Sequence, residues 1–276
     1  MHTAHVRRIG LAALATAALV GGTTACAASE SADATASAPP SEQGAVTVYL
    51  TRHGETILNA LERAQGWADS PLTEDGEQLA VDLGEGLAEE GVEFEAAYSA
   101  DMVRHFDTAS LALEGAGQTL EPQRDERLRE IAFGSFEGSE NEVMWNTAAQ
   151  SLGYADQAEM FGDFGADFSF TDALDAIAAA STDEELPAET SDDVGARAIE
   201  ALTEIAEAQS EAGGGDVLVV SSGITIMVAL EALDADLSEV TAGIENAAVS
   251  KLVYDDGTWT VESVNDLSYV EAGAEL

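Results

Sequence analysis

The sequence predicts an α/β fold, a three-layer sandwich in which helices cover both faces of a mostly parallel central sheet. Short β-branched or apolar runs alternate with amphipathic segments along most of the chain. Residues 217–220 are continuously apolar, which is typical of a strand buried on both faces of a parallel sheet. The hydrophobic fraction of 46% over 276 residues is enough for a substantial core.

The first 25 residues have the layout of an export signal. Two arginines precede an apolar segment, residues 9–20, that is too short to span a bilayer, and small residues then lead to Cys26. The residues ending in Cys26 resemble a bacterial lipobox, although Thr23 stands where leucine or valine is usual. We expect residues 1–25 to be a signal peptide and Cys26 to be lipidated, which would place the protein on the extracytoplasmic side of the cell membrane. Plain secretion is the alternative.

The chain after Cys26 divides into a tether and one folded domain. Residues 26–45 are rich in Ala, Ser, Thr, Pro and acidic residues without apolar periodicity, which predicts a flexible, lipid-anchored tether. Residues 46–276 are predicted to form a single domain. Within it the pattern blurs over 139–193, which we interpret as an insertion of helices and loops over the active-site edge.

Acidic residues dominate the charge. The chain has 53 Asp and Glu against 10 Lys and Arg, a formal net charge of −43. Such a surface repels nucleic acid and anionic headgroups, so we expect no nucleic-acid partner and membrane contact through the lipid anchor only. Since no Cys-rich or His-rich cluster follows Cys26, no metal site and no cofactor are predicted.

The first half of the domain alternates strands and helices. Residues 46–50 form a β-branched and aromatic run, hence a strand. A helix over 73–90 has leucines spaced by four and acidic residues towards its start. A short strand at 94–99 and a helix at 101–113 follow, and residues 128–138 are predicted to form a loop.

The second half continues the alternation after the insertion. A helix is predicted over 193–211 and is ended by three consecutive glycines. The buried strand at 217–220 leads into a helix over 223–233. Strands at 249–254 and 259–264, joined by an Asp-Asp-Gly turn, are predicted to form a hairpin.

Arg52, His53 and Gly54 directly follow the first strand. In open α/β sheets, ligands bind at that carboxyl edge. Arginine offers a planar fork of donors, histidine a nucleophile near neutral pKa, and glycine a close approach of backbone amides to an oxyanion. These residue types therefore point to phosphate. As an isolated string they also fit a surface turn with a charged pair.

The segment Arg52-His53-Gly54-Glu55-Thr56 resembles the signature of histidine phosphatases, the phosphoglycerate-mutase-like superfamily. Further segments resemble later family motifs in the right order, over about residues 46–273. They are Gln65-Gly66-Trp67, Asp69-Ser70-Pro71-Leu72-Thr73, Tyr98-Ser99-Ala100-Asp101-Met102-Val103-Arg104 and Leu128-Arg129-Glu130-Ile131. The resemblance implies that residues 46–276 are a histidine phosphatase domain.

The resemblance also implies roles for individual residues. His53 would be the nucleophile that accepts the phosphoryl group. Arg52, Asn59 and Arg104 would hold the phosphoryl oxygens. Glu130 would give a proton to the leaving oxygen and then take one from water. The function implied is a phosphatase acting on a small phosphomonoester through a phosphohistidine, and the expected export signal would make it extracytoplasmic.

One position departs from the family pattern. After the buried strand at 217–220, the family has a second histidine, and this chain has Ser222. A serine hydroxyl is neutral and short, so Ser222 would contact the phosphate less well and turnover would be slow. The alternative is a catalytically degenerate member that serves as a phospho-ligand-binding or protein-interaction module, with an anionic ligand or another protein as its partner.

Three further features of the sequence bear on function. His105 adjoins Arg104 where the family usually has a small residue, and we interpret it as packing on its helix or facing solvent. Arginines at 124, 127 and 129 are interpreted as paired with local acids, and steering of a substrate is the alternative. The four phenylalanines between 161 and 170 are expected to form a small core under the insertion rather than a ligand box.

Overall fold

The fold is built on a six-stranded sheet. The structure is a computed structural model that describes residues 43–163, 169–238, 240 and 243–276, so the expected signal peptide, Cys26 and most of the expected tether lie outside the described residues. The strands are β1 (Val46–Arg52), β2 (Phe94–Ser99), β3 (Gln123–Arg124), β4 (Gly215–Ser221), β5 (Val249–Asp255) and β6 (Thr258–Asp266). Their order is β3-β2-β4-β1-β5-β6. The first four are parallel and the hairpin β5–β6 is antiparallel, which confirms the mostly parallel sheet.

Helices cover both faces of this sheet. They are α1 (Ile57–Ala60), α2 (Glu74–Glu89), α3 (Val103–Gly115), α4 (Asn141–Ser151), α5 (Gln157–Gly162), α6 (Phe170–Ala180), α7 (Ser191–Ala212), α8 (Gly223–Ala232) and α9 (Ser268–Gly273). None of the helices within the described ranges has the length and apolar character needed to cross a membrane.

The strand β4 shows why the sheet is buried on both sides. Val217 and Val219 pack with α7 and α8, whereas Leu218 and Val220 pack with α2, α3 and α9. Successive side chains of a strand point to opposite faces, so a run that is apolar at every position needs cover on both. The three-layer sandwich predicted from residues 217–220 is therefore confirmed.

The predicted insertion contributes α4, α5 and α6. They form a third apolar cluster, which also includes Phe133 from the preceding loop and Val228 from α8. A capping box at Thr190 begins α7: the Thr190 side chain accepts from the Asp193 backbone N–H, and the Asp193 side chain accepts from the Thr190 backbone N–H. The cluster lies beside the first turns of α8, next to the edge where the parallel strands end.

Glycines allow α2 to pack closely against α3 and α9. A Cβ at Gly84 would lie 1.9 Å from the carbonyl oxygen of Ala112 in α3. A Cβ at Gly86 would lie 1.8 Å from the carbonyl oxygen of Tyr269 in α9. Both obstacles are backbone atoms, so a side chain at either position requires a helix to move.

Gly86→Ala is expected to lower the free energy of unfolding by about 3 kcal/mol, because overpacking against backbone outweighs the roughly 1 kcal/mol that alanine gains in helix propensity. Gly195→Ala in α7 is the matched control, since its Cβ would approach only Cγ1 of Val228, at 3.2 Å. Urea denaturation of both variants measures the difference. Equal stability of the two variants would contradict the packing argument.

Candidate active site

The carboxyl ends of β1, β2 and β4 bring the candidate residues together. Arg52 at the end of β1 lies opposite Ser221 at the end of the neighbouring strand β4. The His53 backbone N–H donates to the Ser221 carbonyl at 3.0 Å. Ser222 therefore lies beside His53. The helix α3, which follows β2, delivers Arg104 and His105 to the same edge.

His53 is held as a neutral imidazole. Its side chain is buried, with 3% of the residue exposed, and Nδ1 lies 2.7 Å from the carbonyl oxygen of Gly54. Because a carbonyl oxygen only accepts, Nδ1 carries the proton and Nε2 keeps its lone pair. Burial, followed by the nearby charges of Arg104 and Arg52, lowers the pKa of His53 well below its usual range. A neutral histidine with a free Nε2 is a competent nucleophile.

The two arginines are anchored by their terminal nitrogens. Nη1 of Arg52 donates to the Ile244 carbonyl at 2.5 Å. Arg104 is fully buried, and it donates to the Gly66 carbonyl at 2.8 Å and pairs with Asp69 at 3.1 Å. In each arginine Nε is buried and has no hydrogen-bond partner among the described residues. These Nε–H groups are therefore free to bind an anion.

Asn59 reaches the site from the short helix α1, which the sequence did not predict. Thr56 and Asn59 form a reciprocal cap, in which the Asn59 amide oxygen accepts from the Thr56 backbone N–H at 3.2 Å. The cap fixes the Asn59 side chain at the wall of the cavity described below.

Glu130 is held at the N-terminus of α8. Its Oε1 accepts from the Thr225 backbone N–H at 2.9 Å and from the Thr225 hydroxyl at 3.1 Å, and Oε2 accepts from the Ile224 N–H at 3.1 Å. Arg197, which the sequence did not single out, donates to the Glu130 carbonyl at 3.0 Å and pairs with Glu189 at 2.8 Å. The carboxyl group is thus positioned by α8, and the Glu130 backbone is held by α7.

The expectation for His105 is wrong. The residue neither faces solvent nor packs only on its own helix: it is fully buried, and its Nε2 lies 2.6 Å from Oγ of Ser222. Its ring lies 5.2 Å from the His53 ring, edge to face at 87°. The first turn of α3 lies between the Gly66–Asp69 loop, which binds Arg104, and the β4–α8 turn, so two adjacent helical residues are both buried.

The predicted pairing with acidic residues is found for two of the three arginines in the run. Arg127 binds Asp125 at 2.7 Å, and Arg129 binds Asp101 at 2.6 Å. Arg124 stacks over the ring of Phe106, 3.9 Å from its centroid. These contacts account for the run through local pairing and stacking.

A cavity of about 710 Å³ lies in front of His53. Four predicted site residues line its polar end: Arg52, His53, Asn59 and Glu130. Arg104 and Ser222 are buried behind that surface and do not line it. The remaining wall includes the polar residues Arg63, Gln65 and Asn141, but most of its side chains are apolar: Ala64, Phe133, Met144, Trp145, Phe161, Phe170, Ile224, Met227, Val240 and Ile244.

The aromatic residues of the insertion therefore do more than fill a core. Phe170 packs against the apolar cluster of the insertion, whereas Phe161 is 40% exposed and contacts Trp145 with ring centroids 5.4 Å apart. Both also line the cavity, which the expectation of a core alone missed. Phe164 and Phe168 lie outside the described residues. Across the described ranges, no group of three or more potential metal ligands is found.

Comparison with known proteins identifies the family. Residues 48–267 match the family model of the histidine phosphatase superfamily (branch 1). The crystal structure of phosphoglycerate mutase from Bacillus anthracis strain Sterne is 41% identical, with a TM-score of 0.77, and the match covers 85% of this chain and 99% of that one. YhfR of Bacillus stearothermophilus is 31% identical, with a TM-score of 0.61, over 82% of this chain and 99% of that one.

A curated relative matches over a shorter region. The 2,3-bisphosphoglycerate-dependent phosphoglycerate mutase of Streptococcus pyogenes serotype M5 (strain Manfredo) is 36% identical over 119 residues, 43% of this chain and 46% of the relative. The chain thus spans about half the length of the curated relatives it matches. The family match covers most of the chain, and the chain belongs to the histidine phosphatase superfamily, whose members are phosphatases and mutases.

Proposed function

We propose that the protein is an extracytoplasmic phosphatase that hydrolyses a small phosphomonoester with an apolar leaving group through a phosphohistidine at His53. The observation that carries the proposal is the cavity, which is polar around His53 and apolar beyond it. The extracytoplasmic location rests on the signal-like residues 1–25 and on Cys26.

The reaction takes two displacements. Nε2 of His53 attacks phosphorus, the P–N bond forms, and the ester P–O bond breaks as Glu130 gives its proton to the leaving oxygen. Water then attacks the phosphohistidine, Glu130 takes a proton from it, and inorganic phosphate leaves. The free Nε–H group of Arg52, which lines the cavity, is placed to stabilise the charge on the phosphoryl oxygens, and the positive charge of Arg104 acts from behind the cavity wall.

The cavity wall favours a substrate with one anionic end. A phosphoglycerate would bring a carboxylate into the space beyond the phosphate, where the lining is mostly aromatic and aliphatic. Arg63 also lines the cavity, but it donates to the Gly138 carbonyl at 2.8 Å and faces Glu140 at 4.0 Å. An apolar leaving group would instead gain about 25 cal/mol for each Å² that it buries.

The test compares 1-naphthyl phosphate with 3-phosphoglycerate. We expect kcat/KM for the naphthyl ester to be at least about 100-fold higher, and Trp145→Ala to lower it about tenfold or more by removing part of the apolar wall. Val143→Ala is the matched control, because Val143 lies on the exposed side of the same helix. A preference for 3-phosphoglycerate would refute the proposed substrate class.

Ser222 supports a second candidate, a module that binds phosphorylated ligands without turnover. The wild-type chain would then show a saturable rise in melting temperature with 1-naphthyl phosphate, but no release of inorganic phosphate. If the wild type releases inorganic phosphate and His53→Ala does not, the result supports the phosphatase over the binding module.

A further inference from the structure

Three nitrogen atoms on side chains close to His53 lack a hydrogen-bond partner among the described residues. They are Nε of Arg52, Nε of Arg104 and Nδ1 of His105, all buried and without a hydrogen-bond partner. Within the described residues, Ser99 Oγ is the one other buried side-chain nitrogen or oxygen atom in this condition. Buried polar atoms are nearly always paired, so three unpaired nitrogens around one nucleophile call for a common explanation.

An anion bound at His53 provides that explanation. The two arginine Nε atoms carry protons at every accessible pH, so both are donors that lack an acceptor. Arg52 and Arg104 are close enough to lower the pKa of His53, and the His105 ring lies 5.2 Å from the His53 ring. His105 therefore lies with Arg52 and Arg104 beside His53. It is in a different part of the chain from position 222, where the family pattern has its second histidine.

The contact with Ser222 orients the His105 imidazole. Oγ of Ser222 lies 2.6 Å from Nε2, and burial, together with the charge of Arg104, lowers the pKa of His105 well below its usual range. A neutral imidazole carries one proton, so its partner decides which nitrogen holds it. If the hydroxyl donates to Nε2, the proton resides on Nδ1.

We propose that His105 donates its Nδ1–H to the phosphoryl group on His53, and that Ser222 positions His105 by donating its hydroxyl proton to Nε2. The pair thus replaces the second histidine, with the imidazole supplied by α3 instead of the β4–α8 turn. This inference rests on the proposed function for its catalytic part. It also changes the role expected for Ser222, from a phosphate ligand to a positioning residue.

Two amide variants separate the nitrogens of His105. The side-chain nitrogen of Asn in His105→Asn can stand near the position of Nδ1, and that of Gln in His105→Gln near the position of Nε2. We expect His105→Gln to lower kcat by about 10² to 10³-fold, the usual effect of losing one preorganised donor. His105→Asn should keep kcat within about tenfold of wild type. A Gln variant as active as the Asn variant, or more active, overturns the proposal, and melting temperatures check that both fold.

A binding measurement tests His105 without requiring turnover. In the full-length wild-type chain labelled with ¹⁵N-histidine, we expect His105 to be protonated at Nδ1, and this resonance to shift when inorganic phosphate is added. An Nε2-protonated His105, or no shift at saturating phosphate, overturns the proposal. If the wild type binds phosphate with these signatures but hydrolyses no ester, the proposed phosphatase function fails while the assignment of His105 stands.

Discussion

Replacing His53 with alanine is expected to abolish turnover, with kcat falling by about 10⁴-fold or more, as when a covalent nucleophile is removed from other enzymes. Nε2 of His53 is the atom that would take the phosphoryl group, because Nδ1 is engaged with the Gly54 carbonyl. Rapid quenching with a ³²P-labelled ester measures the phosphoenzyme directly. The label should be acid-labile and should disappear in His53→Ala.

The second buried histidine provides the control for this experiment. His105→Ala removes an imidazole that is as buried as His53 and in contact with it. We expect this variant to form the phosphoenzyme slowly but to the same final level. A His53→Ala protein that still accumulates label, or a label located on His105 by peptide mapping, would contradict the assignment of the nucleophile.

The fold was predictable wherever the apolar pattern of a single helix or strand was enough to show which of its faces is buried. The continuous apolar run of β4 required cover on both faces, and the leucines of α2 defined one buried stripe. The short helices α1 and α9 were not predicted because their sequences carry too few turns to show a period. Their stability comes from neighbours, such as the contact of Gly86 with the backbone of Tyr269.

The site was predictable where motif residues follow a strand directly, as Arg52 and His53 follow β1. His105 was not, because helical periodicity places Arg104 and His105 about 100° apart and so predicts that one of them is exposed. Whether both are buried depends on what lies on each side of α3. His105 is buried against Ser222, which is 117 positions away in sequence. No local pattern contains that contact.

Glu130→Gln is expected to slow phosphoenzyme formation from an alkyl phosphate by about 10² to 10⁴-fold, the usual contribution of a general acid. The same variant should form the phosphoenzyme from p-nitrophenyl phosphate within about tenfold of the wild-type rate, because p-nitrophenolate leaves without a proton. The measurement is the pre-steady-state burst of leaving-group release, which reports the first displacement before water attacks.

Glu137→Gln is the matched control, because Glu137 is a second carboxylate in the same loop as Glu130. The Glu137 carboxylate accepts hydrogen bonds from the backbone N–H groups of Trp67 at 2.8 Å and Ala68 at 2.7 Å. This carboxylate holds the loop whose carbonyls bind Arg104, so its loss should lower both burst rates by the same factor. Loss of the residue that protonates the leaving oxygen should slow the alkyl ester far more than the p-nitrophenyl ester, whereas loss of a residue that only supports the site should not distinguish the two esters. If Glu130→Gln also slows both esters equally, Glu130 shapes the site through its contacts with α8 and the proton comes from another group.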